Sequence, residues 1–494
     1  MDIAVHDLSR LRPTSLMHRL FPPKRGTEPR RSCLRHNIMH IIFTTIFTKV
    51  ISRHPSDPGL PMIFQAATES ELITVAGRLL AGRREVRVLS AMSPQQPTEL
   101  IGALIGVALE RDVRITLFVA DLDGLYGFLD PGHRRAVERG QLRLVALAGG
   151  IPPAWHAHID HFPIGFWDID QGLATGNIPI DLVIAEMTGD PNDGSFGFGA
   201  MVGYTASALA SGASAAAILR PETVRFPNAP RVPRDRFDAL ITAPPQHPTA
   251  TVVAPPSAIQ MRIAAHVAEL VPDGATLQLG IGAMAQALAG SLDGKSDLGV
   301  HSGIISGALA RLVRSGTLSG RRKSADQGLI VATGVIGLQS DEAEDLAERV
   351  ALRPVSETHD ARSLARQDRL WALNSCLEID LSCRINAEYI SGRRVSSGGG
   401  QSDFARAAHL SRGGASVIML PSATAKGQSR IVPSLAAGQR ETTAPQDVDF
   451  VVTEHGSADL RGCTAAERRE KLVAIAHPDH RDALRSRHIC VTSG

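Results

Sequence analysis

From about residue 66 onward, short apolar runs rich in β-branched residues alternate with segments of helical spacing. This alternation constrains the fold more than any other feature of the chain. Glu69–Leu80 has the helical period, and Thr68 with Glu71 has the form of a capping box at its start. Val86–Ser90, Val113–Val119, Leu142–Leu147 and Leu182–Ala185 read as strands. Pro97–Glu110, with a proline where a helix tolerates one, and the Ala-rich Tyr204–Ala210 read as helices. Such alternation predicts a parallel sheet covered by helices. Residues 221–257 are proline-rich and hold no long periodic pattern, so the interdomain connection is placed there. A second α/β unit begins at Ile259: helix Ile259–Leu270, strand Ala275–Leu279, helix Met284–Leu292, then strands Leu298–His301, Leu329–Thr333, Ser416–Leu420 and Phe450–Thr453. Thr464 and Glu467 open a last helix with a second capping-box pattern.

At 494 residues the chain is long enough for two or three domains. Three segments are expected: 1–61, 62–250 and 251–494. The first 60 residues hold ten Lys and Arg against four Asp and Glu, a charge of +6. With +2 for the whole chain, the remainder carries −4, which makes no nucleic-acid surface. Aromatic residues at 4% also argue against a reader of stacked bases. Residues 1–61 read as a basic, disordered extension, and Met62 opens the first globular stretch. The apolar run Ile38–Ile51 is broken by His40 and Lys49 and is shorter than the ~20 residues of a spanning helix. No membrane partner is expected. The five cysteines, Cys33, Cys376, Cys383, Cys463 and Cys490, form no CxxC pair. An odd count of that kind suits a reducing cytoplasm with buried free thiols, and Cys376 as a nucleophile is the less favoured alternative.

Five stretches carry chemistry. Ser396–Phe404 reads Ser-Ser-Gly-Gly-Gly-Gln-Ser-Asp-Phe, ahead of a helical run. Glycines there let backbone N–H groups approach an oxyanion or a phosphate. Leu277–Ala283 is strand, Gly-Ile-Gly turn, helix, a geometry that favours an anion at the helix start. It lacks the third glycine of a dinucleotide fingerprint and the Lys-Ser/Thr of a P-loop, and an ordinary tight turn accounts for it equally well. Gly299-Val-His-Ser-Gly303 ends a strand, where α/β sheets bind ligands. His301 and Ser302 are neighbours on a strand and face opposite ways, so they do not form a base–nucleophile pair. Pro421–Pro433 offers Lys426 and Arg430 to a polyanion, or simply to solvent. Glu454, His455, Asp459 and Arg461 follow a strand without metal-ligand spacing and read as an ion-pair cluster. No metal site is expected.

Taken together and in this order, these stretches resemble the acetyl-CoA hydrolase/CoA-transferase family, including its 4-hydroxybutyrate CoA-transferase-like members. The match is carried by Leu279–Gly282, Leu298–Ser302, Ile330–Thr333, Leu352–Pro354, Asn374-Ser375, Glu378–Asp380, Gly399–Phe404, Ser429–Pro433, Val451–Glu454 and Ala474–Asp479. It is dense over about 255–485 and looser over 62–250, where Asp181–Tyr204 fits best.

The resemblance implies two similar α/β domains with parallel-rich sheets and a cleft between them. It implies an acyl-CoA:carboxylate CoA-transferase or acetyl-CoA hydrolase acting on a short-chain acyl-CoA, with coenzyme A as substrate and no separate cofactor. In the family a glutamate attacks the thioester and holds the group as a glutamyl-CoA thioester. By resemblance, Gly280, Ile281 and Gly282 line the CoA cleft, Lys426 or Arg430 meets the CoA phosphates, and Gly399, Gly400 and Gln401 face the thioester carbonyl. The family's glutamate directly follows the His-Ser or His-Thr pair, and here that position is Gly303. His301 or another base would then position water for direct hydrolysis. Glu357, Glu378 and Glu388 are other acids of the same half of the chain. A non-catalytic acyl-CoA-binding protein of the same fold is the alternative. The expected partners are an acyl-CoA and a small carboxylate, and a homodimer is the default assembly.

Overall fold

The computed structural model describes residues 62–486 apart from 65–66, 93, 95, 123–125, 222–224, 245–253 and 339. The basic extension, the run Ile38–Ile51, Cys33 and Cys490 lie outside the described residues.

The first half is an eight-stranded sheet, β1 (Met62–Phe64), β2 (Glu85–Ser90), β3 (Arg114–Asp121), β4 (Leu142–Gly149), β5 (Ile159–His161), β6 (Leu182–Met187), β7 (Ser214–Leu219) and β8 (Ala239–Thr242). Its order is β1-β8-β7-β6-β2-β3-β4-β5, and every pair is parallel. The second half is also eight-stranded: β9 (Thr276–Leu279), β10 (Gly299–His301), β11 (Ile330–Ala332), β12 (Val350–Leu352), β13 (Leu370–Ser375), β14 (Ala415–Met419), β15 (Phe450–Thr453) and β16 (Gly456–Asp459). The order is β12-β11-β10-β9-β13-β14-β15-β16, parallel except for the β15–β16 edge. Every residue of β6, β9 and β14 is buried, as strands covered on both faces require.

The helices that matter below are α1 (Glu69–Leu79), α2 (Thr98–Glu110), α3 (Phe166–Thr175), α4 (Ala258–Leu270), α5 (Ala283–Ser291), α6 (Val355–Thr358), α7 (Gln401–Leu410) and α8 (Ala465–Ile475). The capping boxes expected at Thr68 and Thr464 form, and Ser257 with Gln260 makes another at the start of α4. On one face of the first sheet, Val88, Leu117 and Ile184 pack with Leu72 of α1 and Leu104 of α2. On the other face, Leu89, Val183 and Ala217 belong to the same buried cluster as Leu277, Val300 and Val417 of the second sheet. The two halves therefore share one core.

Backbone hydrogen bonds cross their junction. Val202 N donates to Thr333 O (2.9 Å), Phe166 N to Gly399 O (3.0 Å) and Val355 N to Gly203 O (3.1 Å). Asp170 of α3 lies fully buried at this junction. Burial pushes its carboxyl up to about 7, while the Ser207 and Ser356 hydroxyls pull the other way.

Residues 221–257 are not only a connection: Arg231–Pro233 pairs with Ser195–Gly197, and β8 inserts between β1 and β7 of the first sheet. Four residues between Pro233 and Pro244 are too few to show a period, and burial rather than pattern makes them a strand.

Candidate active site

The end of β10 places Ser302 and Gly303. Ser302 is fully buried; its Oγ donates to Leu279 O (2.9 Å) and accepts from Leu279 N (3.3 Å). Its hydroxyl therefore clasps β10 to β9 and is no nucleophile. Thr333 N donates to Gly303 O (2.7 Å), fixing the turn from the other side. A Cβ at Gly303 would lie 3.0 Å from His359 Nε2 and 3.6 Å from the Phe404 ring.

The Gly-rich loop approaches the same point. Gly399 has φ +56°, and Gly400 forms the N-cap of α7 with no side chain to block the helix's first N–H groups. A Cβ at Gly400 would overlap the His359 ring. That ring lies edge-on to Phe404 (4.8 Å between centroids) and to Phe166 of α3 (5.7 Å). The β10 turn, the Gly-rich loop and the first half's α3 thus meet around one imidazole.

His301 is buried beside this cluster, and its ring is pushed down to about 3, first by burial and then by the Lys323 ammonium. Lys323 is buried too and donates to Val300 O (3.0 Å) and Leu329 O (2.8 Å); burial pushes it down to about 8. The expected CoA turn is open. Gly282 caps α5 with φ +89°, nothing stands within 4 Å of where a Cβ at Gly280 or Gly282 would be, and Ile281 is 41% exposed. A helix start with open space before it suits an anion.

The other expected residues are placed less centrally. Gln401 begins α7, and its side-chain amide donates to Thr443 Oγ1 (3.2 Å). Arg430 is half-buried and donates to Leu377 O (3.0 Å), whereas Lys426 is exposed on its loop. Glu388 sits buried beneath Gly398, paired with Arg394 (2.5 Å) and accepting from Thr442 Oγ1 (3.1 Å). Glu378 accepts from Asn386, and Glu357 pairs with Arg353 at 3.6 Å while largely exposed. Each of these acids is engaged away from Gly303. Burial pushes the Cys376 thiol up to about 12, which removes it as a nucleophile. Among the described residues, no group of three or more His, Cys, Asp and Glu side chains could hold a metal ion, and no helix is long and apolar enough to cross a membrane.

His359 was missed from sequence. It closes a four-residue helical turn after Pro354, and its neighbours at the site are 56 and 41 residues away along the chain. Nothing local distinguishes it from any other histidine.

Known proteins resemble this chain in sequence and fold. Residues 341–488 match the model of the acetyl-CoA hydrolase/transferase C-terminal domain. The 4-hydroxybutyrate coenzyme A transferase of Clostridium kluyveri is 30% identical over 439 residues, covering 86% of this chain and 98% of that protein. The chain belongs to the acetyl-CoA hydrolase/CoA-transferase family. Solved structures agree with the fold. RipA from Yersinia pestis superimposes with a TM-score of 0.74 at 26% identity, covering 85% of this chain and 98% of that one. The 4-hydroxybutyrate CoA-transferase of Porphyromonas gingivalis gives 0.68 at 27% identity, covering 85% and 96%.

Proposed function

We propose that this family member cleaves a short-chain acyl-CoA thioester, and that water rather than a protein carboxylate attacks it. The observation that carries this reading is the junction at Gly303: a strand-end turn, a Gly-rich loop capping α7 and a neutral imidazole converge where the family resemblance puts a glutamate. Glycine forms no covalent adduct, so transfer to a second carboxylate loses its usual intermediate. An oxyanion site built from the Gly399 and Gly400 backbone N–H groups still lowers the barrier to direct attack. CoA is expected along the open Gly280–Gly282 turn, with Lys426 or Arg430 reaching its phosphates. We further propose a cytoplasmic homodimer; the free thiols of Cys376, Cys383 and Cys463 support the compartment.

A second reading, favoured by the missing side chain at 303, is an acyl-CoA-binding protein that turns nothing over. The test is to incubate the protein with acetyl-CoA and a second short-chain carboxylate. CoA release and transfer product are followed, with intact mass after borohydride. Release of CoA without adduct or transfer product is expected. A glutamyl-CoA-derived mass with transfer product would overturn the hydrolytic reading, and CoA binding without release would establish the second one.

A further inference from the structure

The position of His359 follows from two short turns. Val355–Thr358 makes a single helical turn after Pro354, and His359 N donates back to Val355 O (2.9 Å). Asp360 then caps the next short helix, Ala361–Leu364, by accepting from Arg362 N. The backbone on both sides of the histidine is thereby held, and its ring is buried between Phe166 and Phe404.

The tautomer follows from hydrogen-bond bookkeeping. Thr358 Oγ1 lies 2.8 Å from His359 Nδ1 and 3.3 Å from Pro354 O. A carbonyl only accepts, so in the tautomer that keeps both contacts as hydrogen bonds the single hydroxyl proton goes to Pro354. The hydroxyl oxygen then accepts from Nδ1–H, which leaves the lone pair on Nε2. Nε2 is the atom turned toward Gly303 and Gly400, the two glycines whose missing side chains make room for it. A third group orienting a base that faces a backbone oxyanion site is the arrangement of a hydrolytic centre.

We propose that His359 is the catalytic base of this site: Nε2 removes a proton from the water that attacks the thioester carbonyl of an acyl-CoA seated on the Gly399–Gln401 loop. The proposal rests on the acyl-CoA reading above. The water oxygen bonds to the carbonyl carbon, the C–S bond breaks, and the proton held on Nε2 passes to the departing CoA sulfur. The products are a carboxylic acid and CoA, and no other reactant is consumed. His301 suits this role less well, because a proton arriving on its ring would meet the Lys323 ammonium. For His359 the opposition comes from burial alone, which holds the resting ring neutral, at about 3, and makes it a weaker base than a free imidazole.

The test measures CoA release from acetyl-CoA together with calorimetric CoA binding. H359Q is expected to lower kcat by about 10²–10³-fold, the usual span for a general base, with CoA affinity unchanged. T358V removes only the orienting oxygen and should lower kcat by about 10-fold with KM retained. Should H359Q fail to fold, T358V and H359A with added imidazole decide the matter; rescue of H359A by imidazole is expected. Retention of kcat in folded H359Q, or in T358V together with no rescue of H359A, overturns the proposal. Loss of kcat in H301Q but not in H359Q also overturns it. Wild-type protein that binds CoA but releases none overturns both this proposal and the hydrolytic reading. Wild-type protein that does not bind CoA removes the acyl-CoA reading itself.

Discussion

The two halves close the carboxyl ends of their strands in opposite ways. In the first, Glu186 of β6 and Arg220, just past β7, form a buried pair (2.6 Å), with Glu99 of α2 on the same guanidinium (2.5 Å) and Pro244 O on its third side (2.7 Å). Every direction of that guanidinium is satisfied. A cavity of about 920 Å³ beside it is lined by Thr98, Gly102, Gly106, Phe128 and Arg220 itself. In the second half, glycines end the strands, and the buried His301 and His359 rings are held neutral. Charge that is fully paired stabilises, whereas neutral groups beside unfilled backbone are what a reaction can use. Of the two sheets, the second carries the proposed site.

The largest expected effect tests whether His359 has taken the nucleophile's space. Gly303→Glu alone brings a Cβ to 3.0 Å from Nε2 and should give no transfer activity. Paired with His359→Ala, it should yield a borohydride-trappable glutamyl thioester and transfer product. Activity in the single variant would show that the imidazole is no obstacle.

The first half answers in stability instead. Arg220→Met strips the buried Glu186 and the half-buried Glu99 of their partner and should cost about 3–5 kcal/mol in urea unfolding, with CoA binding untouched. A cost below about 1 kcal/mol would mean that the network is exchangeable for apolar packing.

Asp170→Asn acts on the junction between the halves. Its folded-state pKa is raised to about 7, so the folded chain holds a proton that the unfolded chain gives up near 4. That contribution is complete at low pH and is lost as pH rises through about 7. The amide should therefore stabilise the protein at pH 8, on the order of 3 kcal/mol, and by little at pH 4. Equal gains at both pH values would show that Asp170 is not protonated in the fold. The smallest effect is expected at the CoA turn. Gly282→Ala should cost about 1 kcal/mol for its positive φ while weakening CoA binding, because the α5 N-terminus shifts.

Several strands were legible because burial on both faces leaves runs such as Leu182–Ala185 uniformly apolar. Capping boxes at Thr68 and Thr464 marked helix starts to the residue, since that pairing is local. β5, β7, β8, β12 and β13 were not read: β5, β8 and β12 are three or four residues long, and Ser214–Leu219 and Leu370–Ser375, though six, hold at most one β-branched residue each. The same division holds at the site. The glycine turns showed themselves through composition, and the structure draws Gly303 and the Gly-rich loop together. Ser302 was rightly set aside as a nucleophile, although its clasp on Leu279 lies in the fold alone. His359 was invisible because its role depends on three segments far apart in the chain.

The shared core has a genetic consequence. Leu89 and Val183 bury the same cluster as Leu277 and Val417, so neither sheet has its inner face covered without the other. A gene cut near codon 250 would yield two sticky fragments that recover a native form only when made in the same cell. Intact protein should melt in a single transition, and insertions or fusions at that seam should be tolerated only if they leave both fragments free to close on each other.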